Sequence, residues 1–304
     1  MRQISRALFF LLVSVLLFSS QAYSQRPTCD PVMNTDSVLT AVRVDGVFSM
    51  GTFSLDCRPG TAPGVSGPSI YHPYNGKKFE THLKNASGAT INKFVWYGRL
   101  AGWRIDLDRY EVEGGREAIK QIGPGSYTID FIDEGRSIYK FPFSVKTKQS
   151  ADRFNPRTLY LLDGPWRGKG ILTATTPESN PIFYFWLRDS DEKADARRRQ
   201  IPYSLKLIRD RDRATIAESN EGSLALDHQW YNSRLTLSKP TSMTDGKSVM
   251  FKLGDILDTN GTYTLELSLD RRTHSTFKLD VRNRKINGQD VPARGFRLPL
   301  TAGK

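Results

Sequence analysis

The sequence predicts an all-β protein made of two antiparallel β-sandwich domains in tandem. Residues 125–131 and 261–267 share a turn Gly, a Tyr two residues later, and alternating apolar and polar positions, at a constant offset of 136 residues. Each is followed by a second alternating run, at residues 141–145 and 277–281. This pattern is typical of antiparallel strand pairs with one buried face, so each repeat predicts one end of a sandwich.

The N-terminus predicts export. Two arginines precede an apolar run over residues 7–18, and small residues at positions 22 and 24 lead to a cleavage point before Gln25. This is the layout of a secretory signal peptide, and a run of about 12 residues is shorter than a membrane span requires. We expect a signal peptide over residues 1–24, a secreted or periplasmic protein, and no transmembrane segment after cleavage. The alternative is an uncleaved N-terminal anchor.

The cysteine content fits an oxidising compartment. Cys29 and Cys57 are the two cysteines of the chain, and an even pair in an exported protein most simply forms one disulfide. The predicted bond closes a loop of about 27 residues, which contributes roughly 3 kcal/mol in the chain-entropy model. A redox or metal-binding pair is disfavoured, because the two thiols are far apart in sequence and have no nearby histidine.

The first predicted domain covers residues 25–147 and begins with a hairpin. Asp45-Gly46 tolerates the positive φ angles of a tight turn, so residues 37–44 and 47–55 are predicted to pair across it. A Pro/Gly-rich loop follows, and then three strands are predicted at residues 78–82, 91–100 and 103–112. Alternation in the last of these predicts that Ile105, Leu107 and Val112 face a core.

The second predicted domain covers residues 158–282, after a polar linker at residues 148–157 that contains a proline. Strands are predicted at residues 158–162, 170–174 and 182–187. Compared with the first domain, this one carries an excess of 47 residues, which predicts an insertion at about 188–235. The last segment, residues 283–304, is rich in arginine and broken by Gly and Pro, and we predict a basic flexible tail.

Tyr127 and Tyr263 carry a family resemblance. Each follows a turn Gly by two residues and opens a predicted strand, which resembles the tyrosine corner of immunoglobulin-like and fibronectin-type β-sandwiches. The resemblance implies that each hydroxyl bonds backbone a few residues upstream. It also implies that Trp96 and Trp186 are core tryptophans. The inter-sheet cysteines of antibody domains are absent, and the resemblance implies a fold but no function.

Two aromatic loops are candidate binding surfaces. Trp166, Arg167 and Lys169 lie on a Gly-rich turn, where an exposed Trp could stack on a sugar ring or hold a partner. The alternative is that Trp166 closes the end of the sandwich. Trp230 and Tyr231, inside the predicted insertion, present the same choice.

A run of alternating charges is a third candidate. Arg209, Arg211 and Arg213 alternate with Asp210 and Asp212, so a strand here would present the arginines as a basic stripe suited to carboxylate or phosphate. The alternative is a hairpin tip whose charges pair with one another. We favour the hairpin tip, because the two aspartates nearly cancel the local charge.

The sequence offers few groups for catalysis. Its four histidines are scattered without zinc-site spacing, and no nucleophile motif stands in a strand–turn–helix context, so we predict no metal site and no cofactor. Asp106 and Asp108 stand two apart on one strand face. They could serve a glycosidase as a carboxylate pair, but a solvated strand face is the simpler interpretation.

These observations favour an exported, non-catalytic binding or adaptor protein of the cell envelope. Its partner would be an envelope polymer or protein, recognised through loops of the second domain; nucleic acid is not expected, although the formal net charge is +12. One alternative is a carbohydrate-active hydrolase with carboxylates from separate loops. Another is a structural or assembly component that uses a sheet edge. The identity of the ligand and the oligomeric state stay open.

Overall fold

The protein is all-β, with antiparallel sheets. A computed structural model describes residues 31–57, 76–101, 104–113, 121–190, 193–219, 222–240, 249–293 and 295–303. No helix within these ranges is long and apolar enough to cross a membrane. The signal peptide and Cys29 lie outside the described residues, so cleavage and the Cys29–Cys57 disulfide stay predictions.

Two short helices accompany the strands. Helix α1 is Thr35–Ala41 and helix α2 is Gly254–Leu257. The strands up to residue 163 are β1 (Pro31–Met33), β2 (Val42–Val44), β3 (Phe48–Met50), β4 (Phe53–Cys57), β5 (Lys78–Asn85), β6 (Thr90–Ala101), β7 (Arg104–Val112), β8 (Gly125–Asp133), β9 (Arg136–Gln149) and β10 (Thr158–Asp163). The later strands are β11 (Lys169–Ala174), β12 (Ile182–Leu187), β13 (Arg199–Arg209), β14 (Thr215–Glu218), β15 (Gly222–Leu226), β16 (Tyr231–Thr236), β17 (Gly261–Leu269), β18 (Arg272–Arg282), β19 (Lys285–Ile286), β20 (Gln289–Asp290) and β21 (Phe296–Thr301).

One eight-stranded sheet forms the first half of the protein, which we define as residues 31–163. Its order is β1-β4-β7-β6-β5-β8-β9-β10. Phe53 on β4 and Phe131 on β8 are four strands apart, about 19 Å in a flat sheet, yet their ring centroids are 5.2 Å apart. The sheet therefore curls so that its inner face packs against itself. Ile105 and Leu107 are buried in this first core and Val112 at its margin, as predicted.

The N-terminal hairpin is shorter than predicted. Strands β2 and β3 pair around Gly46, which has a φ of +73°, but residues 35–41 form helix α1 rather than a strand. The Asn34 side chain starts this helix by accepting the backbone N–H groups of Asp36 and Ser37 at 3.1 and 3.0 Å, a standard N-cap. Local capping therefore overrides the strand preference of the Val and Thr residues in this segment.

Strand β10 belongs to the first sheet, which corrects the prediction that residues 158–162 open a second domain. It pairs antiparallel with β9 from Thr158 opposite Gln149 to Asp163 opposite Ser144. The predicted linker at residues 148–157 is consequently the end of β9 and the loop of a β9–β10 hairpin. Polar residues and a proline are as typical of a hairpin loop as of a linker, so composition did not separate the two.

The second half, residues 164–303, is a sandwich of two antiparallel sheets. One sheet has the order β16-β12-β11-β21, and the other has the order β14-β13-β17-β18-β19-β20, with β15 also paired to β13. Phe183 on the first sheet and Phe277 on the second contact each other at 5.0 Å in a second core. The predicted insertion therefore supplies β13 to β16, which are strands of the sandwich itself.

The two repeated segments form equivalent strand pairs. Strand β8 pairs with β9 and β17 pairs with β18 in the same register, with Tyr127 opposite Phe143 and Tyr263 opposite Leu279. Both pairs shift register at the equivalent point, after Phe131 and after Leu267. The constant sequence offset thus corresponds to a structural repeat.

Both predicted tyrosine corners are present. The Tyr127 hydroxyl donates to the Gly123 carbonyl at 2.9 Å, and the Tyr263 hydroxyl donates to the Thr259 carbonyl at 3.2 Å. Each bond reaches four residues upstream, as the resemblance implied. The corners therefore tie the start of each repeated strand pair to the segment that leads into it.

The C-terminal segment is ordered β structure, which corrects the prediction of a flexible tail. Strands β19 and β20 form a small hairpin, and β21 pairs with β11 from Phe296 opposite Ala174 to Thr301 opposite Lys169. Phe296, Leu298 and Leu300 are buried in the second core. Their period-two spacing is a strand signal that the basic composition obscured.

Candidate functional site

The outer face of the four-stranded sheet packs against the first half. In β12 the side chains of Phe183 and Phe185 enter the second core, so Tyr184 and Trp186 point to the opposite face. Trp186 joins the first core, which contradicts the expectation that it is a core tryptophan of the second sandwich. Trp96, by contrast, is fully buried inside the first core as expected.

Helix α1 and strand β2 form the opposite wall of this junction. Leu39 and Thr40 lie on the helix, and Val42 and Val44 continue the wall on the strand. The Trp166 indole Nε1 donates to the Leu39 carbonyl at 2.7 Å, so one residue of the second half holds the end of the helix. The wall is therefore fixed by contacts from both halves.

The loop before β16 supplies the third wall. The Asp227 carboxylate accepts the Tyr231 hydroxyl at 2.7 Å and the backbone N–H of Gln229 at 2.8 Å. The Trp230 indole Nε1 donates to the Leu162 carbonyl at 2.8 Å, on the edge strand β10. These hydrogen bonds fix the aromatic side chains of the loop. The Leu162 carbonyl on the sheet edge accepts one of them.

These walls enclose a cavity of about 200 Å³. Its apolar surfaces come from Leu39, Val42, Leu162 and Trp230, and its polar groups come from Thr40, Arg43, Tyr160, His228, Gln229, Tyr231 and Asn232. No acidic side chain belongs to this described lining. The cavity is suited to a neutral or anionic ligand of about one ring, with an apolar face and several hydroxyl or carbonyl groups.

Trp186 lines the cavity with an unpartnered donor. The residue is 3% exposed, and its indole Nε1 has no hydrogen-bond acceptor among the residues that the structure describes. Leaving a buried N–H without an acceptor costs about 1–3 kcal/mol. An acceptor supplied by a bound molecule would remove that cost.

An open groove of about 300 Å³ lies next to the cavity. Thr40, Trp186 and Asn232 line both spaces, and the groove adds Tyr184 and Arg297. Two of the groove residues belong to a charged cluster, in which the Asp36 carboxylate pairs with Arg297 and with Lys169, at 3.4 Å from the Lys169 Nζ. Burial lowers the pKa of both Lys169 and Arg297, and the cluster carries one net positive charge.

Trp166 and Arg167, predicted to share a binding loop, have different environments in the structure. Trp166 is fully buried against Phe141, at 5.2 Å between ring centroids, and against Trp230, at 6.3 Å. It cannot bind a partner at the surface, because its side chain packs in the first core. Arg167 is exposed and pairs with Asp163 at 3.0 Å.

The other three predicted loop residues, Lys169, Trp230 and Tyr231, all lie at the junction between the two halves. The Lys169 Nζ lies 6.0 Å from the Trp186 ring centroid and bonds the Thr35 hydroxyl at 3.2 Å. Trp230 and Tyr231 line the cavity. An arginine lies over one face of each ring, Arg188 over Trp230 at 5.1 Å and Arg198 over Tyr231 at 5.2 Å.

The arginine run forms a hairpin tip between β13 and β14. Arg209 binds Asp212 through its Nε at 3.1 Å and its Nη2 at 2.6 Å, and Arg211 lies 3.8 Å from the same carboxylate. The hydrogen bond from Arg209 lowers the pKa of Asp212 from 3.8 to about 2. Arg213 is exposed with a φ of +57°. The favoured interpretation, paired charges at a turn, is confirmed, and no basic stripe forms.

A wider groove, of about 970 Å³, lies over β5, β8 and β9. Its described acidic groups are already paired: Asp130 accepts from Lys84 at 2.6 Å, and Asp163 accepts from Arg167. Burial opposes ionisation of both carboxyls, but these hydrogen bonds outweigh it and lower the pKa of each. The groove is a polar sheet face whose described carboxylates are both paired.

Every described carboxyl whose pKa departs clearly from its ordinary value is shifted downward, whereas the general acid of a glycoside hydrolase has a raised pKa. Asp106 lies half-buried on the face of β7 opposite Ile105 and Leu107. No group of His, Cys, Asp or Glu within the described residues could hold a metal ion.

Sequence reasoning missed the central residue of the site, Trp186. The signal was present: Phe183 and Phe185 alternate, so a tryptophan at position 186 has the opposite parity and must face away from the same core. Tyr184 shares that parity. Two aromatic residues on the outer face of a sheet indicate a second packing surface.

Comparison with known proteins adds little. No family model and no curated protein matches the sequence. Among solved structures, a glycosyl hydrolase family 2 member from Bacteroides cellulosilyticus matches with 14% sequence identity and a TM-score of 0.25. The match covers 82% of this chain and 30% of that chain. A TM-score this low does not establish a shared fold.

Proposed function

We propose that this protein is an exported binding protein that takes a sugar residue of an envelope polymer in the cavity between its two halves. The observation that carries the proposal is that Trp186, which lines the cavity, has a buried indole N–H with no acceptor among the described residues. Ligand sites occur preferentially at such interfaces between structural units.

The cavity lining favours a sugar over other small ligands. A sugar ring has an apolar C–H face, which the Leu39, Leu162 and Trp230 surfaces would contact, and hydroxyls that both donate and accept. Thr40 and Asn232 offer neutral groups for those hydroxyls. The lack of a carboxylate in the described lining disfavours a cationic ligand, and Arg43 allows a neutral or an acidic sugar.

The adjoining groove supports a polymer rather than a free monosaccharide. Because Thr40, Trp186 and Asn232 line both spaces, a chain whose end sits in the cavity would leave along the groove. The positive charge of the Asp36–Lys169–Arg297 cluster lies there. An acidic residue of the polymer would be favoured next to it.

The test is calorimetric titration with neutral oligosaccharides, oligosaccharides containing uronic acids, and acyl-chain amphiphiles. A Trp186→Phe variant keeps an aromatic ring and removes the indole N–H. We expect oligosaccharide binding by the natural protein and about three- to tenfold weaker binding by the variant, the value of one hydrogen bond. Without ligand the variant should lose less stability than a buried Trp→Phe change that also breaks a hydrogen bond, because the Trp186 donor has no acceptor to lose.

Trp96→Phe is the matched control. Trp96 is also fully buried, but its Nε1 already donates to the Thr81 hydroxyl at 2.9 Å. This variant should be less stable and bind oligosaccharide with unchanged affinity. The proposal is wrong if no saccharide binds, if the amphiphile binds instead, or if Trp186→Phe leaves the affinity unchanged because a water serves the indole.

A further inference from the structure

The loop of the β9–β10 hairpin holds a phenylalanine in solvent. Phe154 is 99% exposed, whereas the other exposed large apolar residues of the described chain lie between 41% and 57%. Its neighbours from Arg153 to Arg157 are also exposed. A side chain in this position buries almost no apolar surface when the chain folds, so it does not stabilise the fold.

The loop is nevertheless ordered by its own hydrogen bonds. The Asp152 carboxylate accepts the backbone N–H groups of Phe154 and Asn155 at 3.0 and 3.2 Å. Ser150 and Arg157 exchange two bonds across the base, at 2.8 and 3.0 Å. The backbone is therefore preorganised to present Phe154 outward, which reduces the entropy cost of binding.

Three arginines lie in or next to this loop. Arg153 and Arg157 flank it in the loop, and the Arg197 guanidinium reaches Asp152 from the second half at 3.0 Å, with its side chain 78% exposed. Three arginines against one aspartate leave a net positive surface. This charge suits an anionic partner.

A bilayer fits these features better than a protein or a polyanion. A protein interface needs a contiguous apolar patch, and a single aromatic side chain on a polar loop does not provide one. A polyanion would use the arginines and gain little from Phe154. An anionic membrane accepts one aromatic side chain at the level of its headgroups and attracts the flanking cations.

We propose that the hairpin loop at residues 150–157, together with Arg197, docks the protein on an anionic phospholipid surface, with Phe154 inserted among the headgroups. This surface shares no residue with the lining of the junction cavity. Membrane docking does not depend on saccharide binding, and the two proposals can fail separately.

The test is sedimentation of the mature chain, from Gln25 onward, with vesicles of phosphatidylcholine, alone or mixed with about equal phosphatidylglycerol. We expect Phe154→Ser to reduce partitioning to the anionic vesicles about tenfold, and Arg153→Gln or Arg157→Gln to reduce it about fivefold each. Raising salt to about 0.5 M should weaken binding of the natural protein. The natural protein and every variant lack the predicted signal peptide, because its apolar run at residues 7–18 would itself partition into the vesicles.

Ile138→Ser is the matched control, because Ile138 is 43% exposed on the same strand β9, away from the loop. It should partition as the natural protein does. Equal partitioning of Phe154→Ser and the natural protein would overturn the proposal. The proposal would also be overturned if only the arginine variants lost vesicle binding and the same variants lost binding to dextran sulfate. That result would identify a site for a polyanion.

Discussion

Trp166 gives the sharpest test of how the two halves are joined. Its side chain is fully buried, contacts Phe141, Phe143 and Trp230, and donates to the Leu39 carbonyl on helix α1. Trp166→Ala removes these contacts and leaves a cavity, which costs about 3–5 kcal/mol of unfolding free energy. With a urea dependence of about 3 kcal/mol/M, the unfolding midpoint should fall by about 1–2 M.

The assay is urea unfolding followed by circular dichroism, with Arg167→Ala as the neighbouring control. Arg167 is exposed, and its ion pair with Asp163 is a surface pair, so this variant should stay within about 0.5 kcal/mol of the natural protein. An unchanged midpoint for Trp166→Ala would refute the account. Such a result would return Trp166 to the surface as a binding residue.

Three further predictions concern stability. Tyr263→Phe removes the more buried tyrosine corner and should cost about 1 kcal/mol in chemical unfolding, with a smaller loss for the half-buried Tyr127→Phe; a larger loss at Tyr127 would contradict this. Gly170→Ala places a methyl group 2.4 Å from the Phe183 ring and should lower thermal stability by about 1–3 kcal/mol; an unchanged melting temperature would show that the ring moves freely. The folded-state pKa of Asp130 is lowered, so its ionised form contributes stability above pH about 4 that is lost as the pH falls through the folded pKa. The stability advantage over Asp130→Asn should therefore shrink on acidification, and a constant difference would show that the carboxylate is not involved.

The repeated strand pairs were predictable because their signals are local. Turn Gly, Tyr and alternation lie within a few residues of one another, and they specified both the strands and the tyrosine corners. The C-terminal strand β21 had the same kind of signal in Phe296, Leu298 and Leu300. The basic charge and the Gly and Pro residues around this strand obscured its period-two spacing.

The junction was not predictable from local patterns. The Trp166–Leu39 bond joins residues that are 127 positions apart, so nothing near the Gly-rich turn indicated that Trp166 is buried. Because Trp186 alternates with Phe183 and Phe185 along its strand, the sequence did show that its side chain points away from the second core. What it faces, helix α1, depends on tertiary packing, and that helix was itself interpreted as a strand because Val38 and Thr40 suit either structure.

The most direct test of the account follows the tryptophan indole N–H signals by ¹⁵N nuclear magnetic resonance during titration with an oligosaccharide. The chain has five tryptophans, and Trp186→Phe and Trp96→Phe assign the two signals that matter. We predict that the Trp186 signal shifts on saturation, because its donor gains an acceptor, while the Trp96 signal stays in place. A Trp186 signal that is unchanged under saturating saccharide would contradict ligand binding at the junction.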